Sequence, residues 1–189
     1  MTEAMTTAKG NLNGPPPRSL LVLGGCRSGK SAYAESWAAE RFARKLLVAT
    51  LAASDDAEMA ARVALHRARR DQSWGTVEEP LHLAAALRSH QGETDVFLVD
   101  CLTMWITNCL LAGLSDPAIE QEVKGLASTV NALACPVVLV ANEVGLGLVP
   151  ENALGRRFRD LAGWANQQLA ANCQQVVLVA AGLPLILKP

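Results

Sequence analysis

The chain has 189 residues, of which 17 are Lys or Arg and 18 are Asp or Glu, for a formal net charge of −1, so it lacks the basic footprint of a nucleic-acid or anionic-membrane binder. That length suits one domain built on one core. Cys26, Cys101, Cys109, Cys135 and Cys173 are odd in number and carry no metal-ligand spacing, which argues against a disulfide framework or a zinc site and suits a reducing compartment.

The opening stretch MTEAMTTAKGNLNGPPPRS lacks the apolar core of a secretory signal, and no later apolar run reaches the length of a membrane span. The expectation is a cytoplasmic protein with a disordered extension over residues 1–18 and a single domain over 19–189. From there, SLLVLGG, KLLVATL, DVFLVDC, PVVLVAN and QVVLVAAG are near-continuous apolar runs, which suits strands buried on both faces of a parallel sheet. Helices are predicted between them over 29–44, 55–72, 80–89, 102–112, 116–133 and 153–172. The final LPLILKP reads as an edge strand, because Pro184 and Pro189 discourage a central place. This alternation predicts an α/β fold in three layers with a mostly parallel central sheet and right-handed crossovers. Ligands should then sit at the carboxyl ends of the strands, at the turns after Leu23, Val48, Val99, Val140 and Val179.

The first of those turns carries a motif. Gly24, Gly29, Lys30 and Ser31 satisfy G-x-x-x-x-G-K-[ST] between a predicted strand and a predicted helix, the context a P-loop requires. Its backbone amides, from Gly24 through Gly25, Cys26, Arg27 and Ser28 to Gly29, turn inward around phosphate oxygens. Lys30 reaches the β- and γ-phosphates, and Ser31 ligates Mg²⁺. A second metal-directed carboxylate is needed, and Asp100 ends the apolar run DVFLVD in a Walker-B-like position; a plain helix N-cap is the alternative role, and the two are compatible. Glu143, after LVAN, can serve a metal or an acceptor or stand as an ordinary loop carboxylate. The N-K-x-D element by which many GTPases read guanine is absent, since ANEVG has Glu where the lysine would stand.

Ser54 and the acidic Asp55, Asp56 and Glu58 open the predicted helix over 55–72. At ~100° per residue, Ala57, Ala60, Ala61, Ala64 and Ala68 gather on one side, and His66 lies opposite, with Arg62, Arg69, Arg70, Met59 and Val63 within about 60° of it. Neighbouring guanidinium groups disfavour imidazolium, so His66 would stay neutral and nucleophilic while the arginines bind phosphate oxygens. Taken by itself, the pattern is better served by a solvated basic face with one incidental histidine. His82 and His90 lack that setting.

Six segments in order, GGCRSGKS at 24–31, EMAARVALHR at 58–67, Trp74 to Pro80, DCLTMWITN at 100–108, NEVGLGLVPEN at 142–152 and GRRFRDLAGWANQQLA at 155–170, resemble the bifunctional adenosylcobinamide kinase/adenosylcobinamide-phosphate guanylyltransferases of cobalamin biosynthesis. The resemblance covers about residues 19–188. It implies a recombinase-like P-loop NTPase fold and two successive reactions. The aminopropanol hydroxyl of adenosylcobinamide is phosphorylated by ATP or GTP, with Mg²⁺. GTP then guanylylates a histidine, here His66, which passes GMP on to give adenosylcobinamide-GDP. It further implies that Ala49, Thr50, Leu51, Arg67, Ala68, Arg69, Arg70 and Glu78 line the nucleotide site, that Lys30 and Asp100 are catalytic, and that the enzyme is a homotrimer. Two other readings stand beside it: a monofunctional P-loop small-molecule kinase in which His66 has no role, and a nucleotide-binding regulatory module that acts through a partner.

Overall fold

A computed structural model of the chain describes residues 15–51 and 72–189. Its centre is a seven-stranded sheet of β1 (Ser19–Gly24), β2 (Lys45–Ala49), β3 (Trp74–Glu78), β4 (Val96–Asp100), β5 (Val137–Asn142), β6 (Gln175–Ala180) and β7 (Leu183–Lys188), in the order β3-β2-β4-β5-β1-β6-β7. Six strands run parallel and β7 returns antiparallel against β6. The described helices are α1 (Lys30–Ala39), α2 (Leu83–Ser89), α3 (Leu102–Leu111), α4 (Asp116–Ala132) and α5 (Ala153–Asn172).

The apolar runs form the central strands because both of their faces are covered. Leu21, Leu23, Val48, Phe97, Val99, Leu139 and Ala141 face one core, packed by α2, α3, α4 and α5. Leu20, Val22, Leu47, Leu98, Val138, Val140 and Val179 alternate into the other, where Ala34, Trp37 and Ala38 of α1 sit. Period-two alternation with apolar residues on both sides is what a parallel strand between two helical layers demands.

Local chemistry sets the element ends. The helix anticipated over 29–44 stops at Ala39, and Arg41 turns its guanidinium back to the Trp37 carbonyl at 2.9 Å. That frees Arg44 to pair with Asp95 as the chain enters β2. The helix anticipated over 80–89 starts at Leu83, because the Glu79 carboxylate accepts the N–H groups of Leu81 (2.9 Å) and His82 (2.8 Å) and forms a capping turn after β3. Strand β3 lies outside the predicted set, since only Trp74 and Val77 of its five residues are even partly buried at this sheet edge. The edge strand expected from LPLILKP is β7. The helix predicted over 55–72 lies, but for its last residue, outside the described residues.

Strand order creates the ligand crevice. After β1 the chain runs through α1 on one face toward β2, while after β5 it runs through α5 on the other face to β6. Two neighbouring strands whose connections leave in opposite directions open a cleft at their carboxyl ends. Trp105 ties the α3 side of this arrangement: it is 1% exposed, and its Nε1 donates to the Leu81 carbonyl at 2.7 Å. Trp105→Ala should lower unfolding free energy by about 3–5 kcal/mol in urea titration. A loss below about 1 kcal/mol would mean the α2–α3 side collapses onto the vacancy.

Candidate active site

Strand β1 ends at Gly24 and α1 begins at Lys30. A β-carbon on Gly24 would collide with the Ser28 hydroxyl and the Val179 carbonyl, so the strand can turn back over itself only with glycine. The loop closes through Ser28 N–H to the Gly25 carbonyl at 3.3 Å. Gly29 then takes φ +96°, in the left-handed region open to glycine. The first hydrogen bond of α1 runs from Tyr33 N–H to the Gly29 carbonyl at 2.9 Å. The amides before it have no helical acceptor and, with the helix dipole, present positive charge to an anion. Lys30 lies over the same loop with Nζ 3.2 Å from the Gly25 carbonyl, and its ammonium has further donors for phosphate oxygens. Among the described residues, the buried Ser28 Oγ has no hydrogen-bond partner.

The turn between β6 and β7 braces this loop from the side. Ala181 and Gly182 take φ +51° and +80°, as a two-residue hairpin turn requires, and Gly182 N–H donates to the Ser28 carbonyl at 2.8 Å.

Register places the other strand ends beside the loop. Glu78, Ala49 and Asp100 are successive partners across β3, β2 and β4, and Asn142 pairs with Gly24 across β5 and β1. Thr50, wholly buried, clamps the end of β4: its hydroxyl donates to the Cys101 carbonyl at 2.7 Å and accepts from Cys101 N–H at 2.9 Å. Asn108 of α3 donates to the Thr50 carbonyl at 2.7 Å. The corner after Asp100 is therefore fixed from two sides. Burial, and then the Asp100 charge, push the Cys101 thiol up to about 11, against a smaller opposing pull from Lys30. The thiol at this corner is protonated at neutral pH.

Comparison with known proteins agrees with this architecture. A KaiC-like protein of Pyrococcus horikoshii superposes with a TM-score of 0.52 at 14% identity, covering 87% of this chain and 72% of that one. The P4 protein of bacteriophage phi6, solved with ADP, gives 0.50 at 16% identity, covering 94% and 56%. These likenesses speak to the P-loop fold alone. A family model described as cobinamide kinase / cobinamide phosphate guanyltransferase matches residues 20–187. The chain belongs to that family. The bifunctional adenosylcobalamin biosynthesis protein CobP of Pseudomonas aeruginosa is 48% identical over 169 residues, 89% of this chain and 96% of its own length. CobU of Escherichia coli is 41% identical over 181 residues, 89% and 99%.

Within this cobinamide kinase / guanyltransferase fold, Gly24, Gly25, Cys26, Arg27, Ser28, Gly29, Lys30 and Ser31 form the loop, and Ala49, Thr50, Glu78 and Asp100 come to the same carboxyl edge. Of two adjacent glutamates, Glu79 caps the turn into α2 while Glu78 stays exposed at the edge. His66 and Arg62, Arg67, Ala68, Arg69 and Arg70 lie outside the described residues. His90 pairs with Glu93 at 2.7 Å near the amino end of β4, away from this edge, and His82 precedes α2. Sequence reasoning overlooked the clamping role of Thr50 and gave Asn142 no part beyond its motif. The one signal for Asn142 was a polar residue closing the apolar run PVVLVAN.

Cys26 is exposed at the crown of the loop, whereas burial pushes Cys109 to about 11 and Cys173 to about 12. Iodoacetamide at pH 8 should therefore modify Cys26 well before Cys101, Cys109 or Cys173, and ATP should slow that modification several-fold. Equal rates at Cys26 with and without nucleotide, read by peptide mass analysis, would remove the loop as the phosphate site.

Proposed function

We propose that this chain phosphorylates the aminopropanol hydroxyl of adenosylcobinamide with ATP or GTP, and then moves GMP from GTP through His66 to the phosphorylated corrinoid, giving adenosylcobinamide-GDP. The observation that carries this reading is a phosphate loop at the tip of a strand buried on both faces, beside Asp100, in a chain matched from 20 to 187 by one family of this double activity.

In the kinase step the loop amides and Lys30 hold the β- and γ-phosphates and neutralise charge that develops as the γ-phosphoryl group leaves. The Ser31 hydroxyl and the Asp100 carboxylate are hard oxygen donors that fit Mg²⁺, an ion that takes its remaining ligands from phosphate and water. Bound there, Mg²⁺ would supply charge neutralisation on the phosphate oxygens. In the guanylyl step a neutral His66 nitrogen forms a bond to the α-phosphorus while the bond to pyrophosphate breaks. An oxygen of the corrinoid phosphate then displaces the imidazole. Arg62, Arg69 and Arg70, on the same helical projection, favour the neutral imidazole and offer bidentate contacts to phosphate. Arg67, Ala68, Glu78 and Leu51 complete the nucleotide site in this reading. Cys101, held protonated by burial and by the Asp100 charge, does not compete as a nucleophile.

The catalytic unit in this reading is residues 19–189, with 1–18 an extension, working as a homotrimer in the cytoplasm. Supporting this are the exposed Leu183, Leu185, Ile186 and Leu187 on edge strand β7, an apolar surface suited to a second copy. Among the described residues no helix is long and apolar enough to cross a membrane.

Two variants separate the half-reactions. Lys30→Ala should lower corrinoid phosphorylation by well over tenfold, a loss above about 1.4 kcal/mol in barrier terms. His66→Ala should retain phosphorylation and stop GMP transfer. With α-labelled GTP, wild type should carry an acid-labile, alkali-stable adduct that maps to His66 by peptide mass analysis under mild alkali. GMP on another residue, or adenosylcobinamide-GDP formed undiminished by His66→Ala, would overturn the covalent-histidine step and leave a kinase.

A further inference from the structure

Among the described residues two buried side-chain polar atoms have no hydrogen-bond partner, Ser28 Oγ and Asn142 Oδ1. The first belongs to the phosphate loop. The second stands at the tip of β5, between the loop strand β1 and the Asp100 strand β4. The backbone of Asn142 is tied down on both sides. Its N–H donates to Thr103 Oγ1 at 2.7 Å, its carbonyl accepts from Asn166 Nδ2 at 3.3 Å, and Glu143 N–H donates to the Gly24 carbonyl at 3.0 Å. A buried amide oxygen left without a donor is unfavourable by about 1–3 kcal/mol, and here the backbone is held so that it persists beside the site of phosphoryl transfer.

In the connection that follows, polar contacts brace the backbone while apolar side chains stand exposed. Gly145 N–H goes to Glu143 Oε1 at 2.7 Å, Arg159 donates to the Gly145 carbonyl at 3.1 Å, and Arg156 donates to the Pro150 carbonyl at 3.0 Å. Asn152 Oδ1 caps α5. On this braced loop Leu146, Leu148 and Val149 are 89%, 96% and 64% exposed. Three aliphatic side chains make a patch of at most a few hundred Å², short of the ~800 Å² per partner of a stable protein interface, and they begin four residues beyond Asn142, the strand tip beside the phosphate loop.

We propose that the β5–α5 connection is the acceptor side of the site: Asn142 Oδ1 accepts the hydrogen of the acceptor hydroxyl, and Leu146, Leu148 and Val149 seat an apolar face of the corrin macrocycle. This rests on the cobinamide kinase reading above. Accepting that hydrogen bond turns an oxygen lone pair toward the γ-phosphorus. The new P–O bond forms there as the bond to the β-phosphate oxygen breaks, and the hydroxyl proton is released to water. Asn142 orients the hydroxyl and takes no proton, because an amide oxygen is not a base at neutral pH. A corrinoid is the fitting occupant because its broad ring buries apolar surface while a flexible side arm carries the hydroxyl. The ring can rest on the leucines while the arm reaches the strand tip.

The test uses the full chain and the variants Leu146→Ser/Leu148→Ser and Asn142→Ala. Each is assayed for phosphorylation of cobinamide, for binding of a non-hydrolysable ATP analogue, and for mass in solution. The double variant should raise KM for cobinamide by about tenfold or more with analogue affinity unchanged. Asn142→Ala should lower kcat by roughly 10- to 100-fold, again with analogue affinity unchanged. An unchanged KM for cobinamide in the double variant overturns the proposal, whether or not Asn142→Ala folds. A change in oligomer mass with KM unchanged overturns it too, and assigns the loop to contacts between copies. A wild-type protein that binds the analogue but never phosphorylates cobinamide overturns the kinase reading itself.

Discussion

A β-carbon on Gly24 would have to share space with the Ser28 hydroxyl and the Val179 carbonyl, and the whole carboxyl edge of the sheet is arranged around its absence. Without it, β1 passes straight into the loop of residues 25–29, and Ser28 packs against the strand end. β1 is buried along its whole length, so the loop starts from a rigid base. Flanking strands β5 and β6 are in register with Gly24 through Asn142 and Val179, which fixes the loop's height against its neighbours. An alanine there would strain the contact with neighbouring backbone as well as with a movable side chain.

Electrostatics at this edge divide into fixed and titratable parts. Loop amides and the α1 dipole are fixed, and they bias the site toward anions at any pH. Lys30 and Asp100 supply opposite charges on adjoining segments, and both are felt by Cys101. Thr50 spends its whole hydroxyl on the backbone of that cysteine, so the carboxylate beside it is held by a neutral clamp that contributes no competing charge. A site built for anions gains from such a neutral scaffold, because like-charged neighbours would otherwise couple binding to pH.

The central strands were legible in the sequence because SLLVLG, KLLVA, VFLVD and VVLVAN must bury both faces, and only a parallel sheet between helices does that. Trp74-Gly75-Thr76-Val77-Glu78 was not, since an edge strand with three exposed residues leaves no run to read. Helix ends were misjudged where the deciding contact is between side chain and backbone, as with Arg41 on Trp37 and Glu79 on the turn into α2. The loop and Asp100 could be read from spacing and strand position. The clamp of Thr50 on Cys101 and the pairing of Asn142 with Gly24 join residues distant in sequence, and no local pattern announces a register. His66 was ambiguous by pattern, and only the resemblance to a known family distinguished it from its arginine neighbours.

The hydrogen bond from Gly182 to Ser28 links a segment synthesised early to one synthesised late. On a ribosome, β1 and the glycine loop emerge before either of the strands that will flank them, and β6 with its turn follows β5 much later. Until then the first strand lacks one of its neighbours, and the loop lacks the contact that sets its shape. Nucleotide affinity should thus appear late in synthesis and abruptly. Half-made chains should accordingly leave the cell's nucleotides free.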